Sequence, residues 1–196
     1  MAIVAWLCAT LMTTALPVQA ASPSEAVVRG AIDSMRALPA TKGHPEAQRK
    51  VLDAIDNALA LDLLARQALG PQWDKLSVAE RRHFIAVFTQ SLEKIGFPRA
   101  AAMLSQVKVN FVGTDKTAAT EVVRTTIALE GGGGQMPIDF AVARRGAGWQ
   151  IVDASVDGTS ISKAVSTRIQ AAVQSEGYQK LVEELQKQVA LADAEH

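Results

Sequence analysis

The apolar residues of this 196-residue chain change period twice, and those two changes fix the order of its layers. Up to about residue 104 they recur every three or four positions, the spacing of a buried helix face. Between residues 106 and 156 they alternate at every second position, the spacing of a half-buried strand. From Ser160 the helical spacing returns. A chain patterned in this way folds as α+β, with helices, then a sheet, then helices again.

Four segments carry the alternation. "QVKVNFV" sets Val107, Val109 and Phe111 against Lys108 and Asn110. "TEVVRTTIAL" puts Val123, Thr125, Ile127 and Leu129 on one side, and "MPIDFAVARR" does the same for Ile138, Phe140 and Val142. "WQIVDASV" is the fourth. The short links predict a four-stranded antiparallel meander. One link, "EGGGGQ", lacks the Lys-Ser or Lys-Thr of a phosphate loop and precedes no helix, so it reads as a hairpin connection.

Among the helices, Ser22 or Ser24 is placed to cap a first one carrying Val27, Val28, Ala31, Ile32 and Met35. "LPATKGHPE" breaks the chain, a second helix follows through Val51, Leu52, Ile55 and Leu59, and "LDLLARQAL" is stopped by Gly70-Pro71. The longest helix starts at Ser77, three residues before Glu80 in a capping box, and Gly96 and Pro98 are expected to interrupt it. After the sheet, Val165, Ile169 and Val173 mark one helix face, Gly177 a break, and Leu181, Val182 and Leu185 a last helix.

Residues 1–20 contain no charged side chain, an apolar run from Ile3 to Leu16, and Val18-Gln19-Ala20 at the end. This is the pattern of a secretory signal peptide cleaved after Ala20. A short membrane anchor is the competing reading, and the run is shorter than the ~20 residues that span a bilayer. The single cysteine, Cys8, leaves with that segment, so residues 21–196 form one domain without disulfides, held by its core.

Charge and motifs narrow the function. Twenty basic and twenty acidic residues cancel, which argues against nucleic acid as a partner. His44, His83 and His196 have no partners at metal-ligand spacing, so no metal site is expected. Gly158-Thr159-Ser160 lacks the second glycine of a nucleophile elbow. "DASVDGTSIS" reads as punctuation, with Asp157-Gly158 a turn and Thr159 or Ser160 a helix cap. No catalytic residue is assigned. An enzyme of this outline would rest on Asp139 or Asp153 as a perturbed acid or base. A ligand-free adaptor with a filled core is the third class.

Several segments in order, "LDLLARQALGPQWDKLSVAERRHFIAVFTQSL", "WQIVDASVDGTS" and "EGYQKLVEEL", resemble the MlaC (toluene-tolerance) family of periplasmic lipid-binding proteins. The carrying positions are Asp62, Leu69, Gly70, Trp73, Ser77 and Phe84, then Val123, Thr125 and Ile127, then Trp149, Ile151, Asp153, Gly158 and Ser160, and finally Gly177, Leu181, Val182 and Leu185. "GP-x-W" and "GT-x-S" are also found in the family's hopanoid-associated branch. The resemblance implies a soluble carrier that shuttles phospholipid between an outer-membrane lipoprotein complex and an inner-membrane ABC transporter with its substrate-binding subunit. Phospholipid is then cargo and no cofactor is required; a hopanoid or other hydrophobe is the alternative cargo. The expected acyl-chain lining is Val123, Thr125, Ile127, Ile138, Phe140, Val142, Trp149 and Ile151 from the sheet. Phe84, Phe88 and Leu92 face them from the long helix, with an apolar cavity enclosed between.

Overall fold

The computed structural model describes residues 22–117, 120–129 and 134–194. The expected signal segment, residues 1–20, and most of the glycine-rich link lie outside the described residues. Five helices precede the sheet: α1 (Pro23–Ala37), α2 (Pro45–Ala58), α3 (Leu61–Leu69), α4 (Val78–Ser91) and α5 (Phe97–Gln106). The strands β1 (Val109–Lys116), β2 (Glu121–Ala128), β3 (Gln135–Arg145), β4 (Gly148–Val156) and β5 (Thr159–Ser160) follow, and α6 (Ile161–Glu176) and α7 (Tyr178–Ala194) close the chain.

The sheet is an antiparallel meander in the order β1-β2-β3-β4-β5. Its fifth strand, beyond the four expected, is two residues long and pairs with Ser155 and Val156. Asp157 and Gly158 take φ of 49° and 75°, so the Asp-Gly pair forms the tight turn that such a hairpin requires. One sheet face is apolar by register: Val123 lies opposite Phe140 and Thr125 opposite Ile138. Thr125 is buried and donates its hydroxyl proton to the Ile138 carbonyl at 2.5 Å, so its polar atom is satisfied within the sheet.

Helix α1 covers that face. Ser22 accepts the Glu25 N–H at its N-terminus, and Val28, Ala31 and Ile32 pack with Val123, Val142, Ile151 and Leu104 of α5 in one cluster. A second cluster joins Leu38, Leu52 and Ile55 to Phe97 and Ala101. The third binds α3, α4, α6 and α7 around Phe84, which is fully buried. Its ring lies 5.9 Å from Phe88 and 6.3 Å from Tyr178.

The expected capping box is present: Ser77 accepts the Glu80 N–H, and the Glu80 carboxylate accepts the Ser77 N–H at 2.8 Å. Hydrogen bonds from Ser77 hold the exposed Glu80 carboxyl below its ordinary value. The expected interruption at Gly96 and Pro98 takes a different form. Helical backbone continues from α4 through a π turn, Leu92–Gly96, into α5. Pro98 has no N–H for the carbonyl four residues back, and its ring would press on it. Widening one turn removes the conflict, and the Phe97 N–H bonds to the Leu92 carbonyl five residues back.

Gly70 ends α3 with φ of 54°, and a Cβ there would come within 2.5 Å of the Gln170 side chain in α6. That amide donates to Ser166 at 2.6 Å, and Ser166 donates to the Gln67 carbonyl at 2.7 Å, so the α3–α6 contact is polar and close. Gly70→Ala should destabilise the fold by about 1–3 kcal/mol, read from the urea midpoint, because it adds backbone strain to a forced separation.

Candidate functional site

Strand β4 builds the inner wall of the site. The register passes from Ala141–Asp153 to Val142–Ile151, so Val152 is an extra residue, a β-bulge. Before the bulge Trp149 and Ile151 face the α1 cluster; after it the alternation is reset, and Ala154 instead lies opposite Phe140. The chain between α2 and α3 is pinned along this strand. Ala60 donates its N–H to the Ile151 carbonyl at 3.0 Å, and Gln150 donates to the carbonyls of Asn57 at 3.1 Å and Leu59 at 3.3 Å.

Asp153 fastens α6 to the same strand. One carboxylate oxygen accepts the N–H groups of Ala154 at 2.8 Å and Ser162 at 3.0 Å. The other accepts the Ser160 hydroxyl at 2.6 Å, and Ser160 accepts the Lys163 N–H at 3.1 Å as the helix cap. Its acceptor sites are committed to the helix start, where a carboxylate also opposes the positive end of the dipole. Asp153→Asn keeps the volume but exchanges an acceptor oxygen for a donor. It should cost about 1–2 kcal/mol in thermal or urea unfolding. Asp139, the other carboxylate considered as an internal acid, lies opposite Arg124 in β2 and lines neither cavity described next.

Two apolar cavities meet above this wall. The inner one, of about 160 Å³, lies between Leu59, Leu64, Ile151, Ala154 and Ile161. The outer one, of about 500 Å³, lies between the π turn, α6 and α7, with Ile95, Ile169, Leu181 and Leu185 in its wall. Phe88, Leu92 and Val165 belong to both. Arg168 and Glu184 are exposed at the outer one's edge. The outer volume falls in the ~300–1,000 Å³ range of small-molecule sites and the inner one below it.

This arrangement differs from the expected lining. Phe88, Leu92 and Ile151 line the cavities. Val123 and Val142 are buried in the cluster that α1 fills, with Phe140 and Trp149 packed against it. Thr125, Ile127 and Ile138 are buried in the sheet away from both cavities, and Phe84 sits in the solid helical core. The physical reason is α1: its Val28, Ala31 and Ile32 occupy the sheet face expected to be open. Sequence reasoning missed Leu59, Leu64, Ile95, Ile161 and Leu185. The helical stripe of Val165 and Ile169 was visible in the sequence, but nothing there distinguished a cavity wall from a core.

Among the described residues no three His, Cys, Asp or Glu side chains converge to hold a metal ion. No curated protein matches the chain. The fold is similar to that of a phospholipid-binding protein from Ralstonia solanacearum, solved in complex with a phospholipid. The TM-score is 0.67 at 20% identity, over 88% of this chain and 99% of that one. The family model described as "MlaC protein" matches residues 25–187, which take in every helix and strand described above apart from the two ends, and the chain therefore belongs to the MlaC family.

Proposed function

We propose that the protein is a lipid carrier whose paired cavities take the acyl chains of a phospholipid. The observation that carries this reading is the shared apolar wall of Phe88, Leu92 and Val165, with cavity on both sides of it. Rotation of Leu92 and Val165 would join the two spaces into one. The similarity in fold to a protein holding a phospholipid supports the same occupant.

The energetics suit carriage rather than chemistry. Two chains of ~15 carbons, at about 0.8 kcal/mol per buried CH₂, represent roughly 20 kcal/mol or more against water. A carrier must match that with an equally apolar lining, so that exchange with a bilayer is nearly neutral. Asp153, the carboxylate at the inner cavity, is spent on the α6 cap, which supports a carrier over an enzyme. Family membership supports a wider reading: export by the N-terminal segment, a periplasmic location, and transfer between an outer-membrane lipoprotein complex and an inner-membrane ABC transporter. Phospholipid is the cargo, and no cofactor is needed.

The test is mass spectrometry of an organic extract from Ala21–His196, purified without detergent from a Gram-negative periplasm. About one phospholipid per chain is expected. A hopanoid would replace the cargo and keep the carrier. Folded protein with no lipid would overturn the reading.

A further inference from the structure

A cluster of charge is set between α2 and the π turn. Arg49 in α2 donates to Asp53 at 2.5 Å, to Glu93 at 3.1 Å and to Asp56 at 3.4 Å. Asp53 is well exposed, but the side chains of Asp56 and Glu93 are only 18% and 10% accessible. Three carboxyls thus share one guanidinium, and two of them are largely withdrawn from water. Helices α1 and α5, strand β4 and the turn at residues 38–41 also pack on α2, and none of them brings a cation to Asp56 among the described residues.

One atom of this cluster is left over. Asp56 Oδ1 is buried and has no hydrogen-bond partner among the described residues. Arg49 gathers the Glu93 and Asp56 carboxyls around one guanidinium, at 3.1 and 3.4 Å, and two carboxyls so held bond to one another only when one of them carries a proton. A single proton on the pair cancels the repulsion between them, and Oδ1, the Asp56 oxygen that Arg49 leaves unpartnered, is the one free to carry it. Burial, then the hydrogen bond and repulsion from Glu93, push the Asp56 carboxyl up to about 7; Arg49 acts in the opposite direction and Asp53 adds to the rise.

The cluster's position gives it a lever on the site. Glu93 follows Leu92 directly in the π turn, and Leu92 lines both cavities. Leu59, just after α2, lines the inner one. Both leucines also pack against the cluster of Leu52, Ile55 and Phe97 that joins α2 to α5. Anything that separates α2 from the π turn moves two walls of the cavity at once. The π turn is where the helical hydrogen-bond ladder is interrupted ahead of Pro98, so the position of Leu92 depends on what packs against this turn.

We propose that Arg49, Asp56 and Glu93 are positioning residues for the lipid site. A proton shared by Asp56 and Glu93 holds the π turn against α2, and its loss loosens the wall that Leu92 contributes. This rests on the carrier reading given above. The sign follows from linkage: the folded protein holds the Asp56 proton more tightly than the unfolded chain. The stability it contributes is complete below the ordinary carboxyl value and is lost as pH rises through about 7.

Two measurements on the full chain test this, each on wild type, Asp56→Asn, Glu93→Gln and the exposed control Asp53→Asn. The first is thermal unfolding of delipidated protein at about pH 5.5 and about pH 8.5. Wild type and Asp53→Asn should lose about 4 °C or more over that interval, and Asp56→Asn and Glu93→Gln less than half as much. The second is transfer of a fluorescent phosphatidylethanolamine from protein to vesicles of phosphatidylethanolamine and phosphatidylglycerol. The wild-type rate should rise about fivefold with pH, while Asp56→Asn keeps the slow acid rate throughout. Equal thermal slopes in wild type and Asp56→Asn would overturn the shared proton. Normal thermal behaviour with pH-independent transfer would overturn the positioning role alone. Failure of wild type to take up the lipid at either pH would overturn the carrier reading and this proposal with it.

Discussion

Val165→Arg should yield a folded, monomeric protein that purifies with at most about one-tenth of the wild-type lipid. Val165 is half-buried on α6 and stands in the wall common to both cavities. A guanidinium held among Phe88, Leu92 and Ile169 has no uncommitted carboxylate to pair with deep in the site, because Asp153 at the inner cavity already accepts from Ala154, Ser160 and Ser162. Removing a charge from water without a partner costs several kcal/mol, so acyl chains cannot close over it. The arginine avoids that cost in the lipid-free protein by reaching along the outer cavity to water beside Glu184, its stem lying on the apolar wall. The fold survives because the mouth is open; the lipid does not bind because its space is taken. Circular dichroism and size exclusion check the first half, and lipid counted per chain by mass spectrometry checks the second. Val165→Ala, which removes volume but adds no charge, should keep its lipid. If Val165→Arg carried the wild-type amount, the shared wall would not be the site.

The choice of position depends on what α1 covers. The period-two pattern alone nominates Ile127, and Ile127→Arg looks like the natural way to block a cavity bounded by the sheet. In the fold Ile127 is 3% exposed and lines neither cavity. An arginine there cannot reach water without lifting packed elements, so the expected result is unfolding rather than a folded protein without lipid. That outcome would say nothing about binding.

Alternation shows which side chains share a face, because strand geometry is local. It carries no information on which helix lies over that face, and here the answer is α1, separated from the sheet by α2, α3, α4 and α5. For the same reason the strands, their meander order, the Ser77–Glu80 box and the Asp157-Gly158 turn could be read directly: each depends on neighbours within a few residues. The β-bulge at Val152 was hidden, since one extra residue leaves "WQIVDASV" looking like a plain strand while it resets the face of everything after Ile151. Gly96 and Pro98 were legible as a disturbance, but whether a helix breaks or widens at such a point is decided by what packs around it. Phe97, 4% exposed and packed with Leu52 and Ile55, holds the chain on course, and a π turn results. The cavity arises from these non-local features.

Phe84→Ala should lose about 3–5 kcal/mol of folding stability, a large share of the ~5–15 kcal/mol that such a domain possesses. Phe84 is fully buried, and its ring is in contact range of both Phe88 and Tyr178. It ties α4 to α7, whose Tyr178 hydroxyl donates to the Glu80 carbonyl at 3.2 Å in the first turn of α4. Burial of that hydroxyl, with Glu80 nearby, raises the Tyr178 value above its ordinary one, so the ring remains a neutral donor at physiological pH. Removing the Phe84 side chain leaves a void that solvent cannot fill favourably, and the neighbours are held by four helices that cannot all close on it. Phe88, however, can turn into the space, and Phe88 is a wall of both cavities. The substitution should therefore weaken lipid retention as well as stability, although Phe84 lines neither cavity. Urea unfolding followed by tryptophan fluorescence gives the first effect, and lipid per folded chain gives the second. Phe84→Leu, which retains most of the volume, should cost about 1–2 kcal/mol and keep its lipid. A loss below about 1 kcal/mol for Phe84→Ala would mean that α4 and α7 are not joined through this ring.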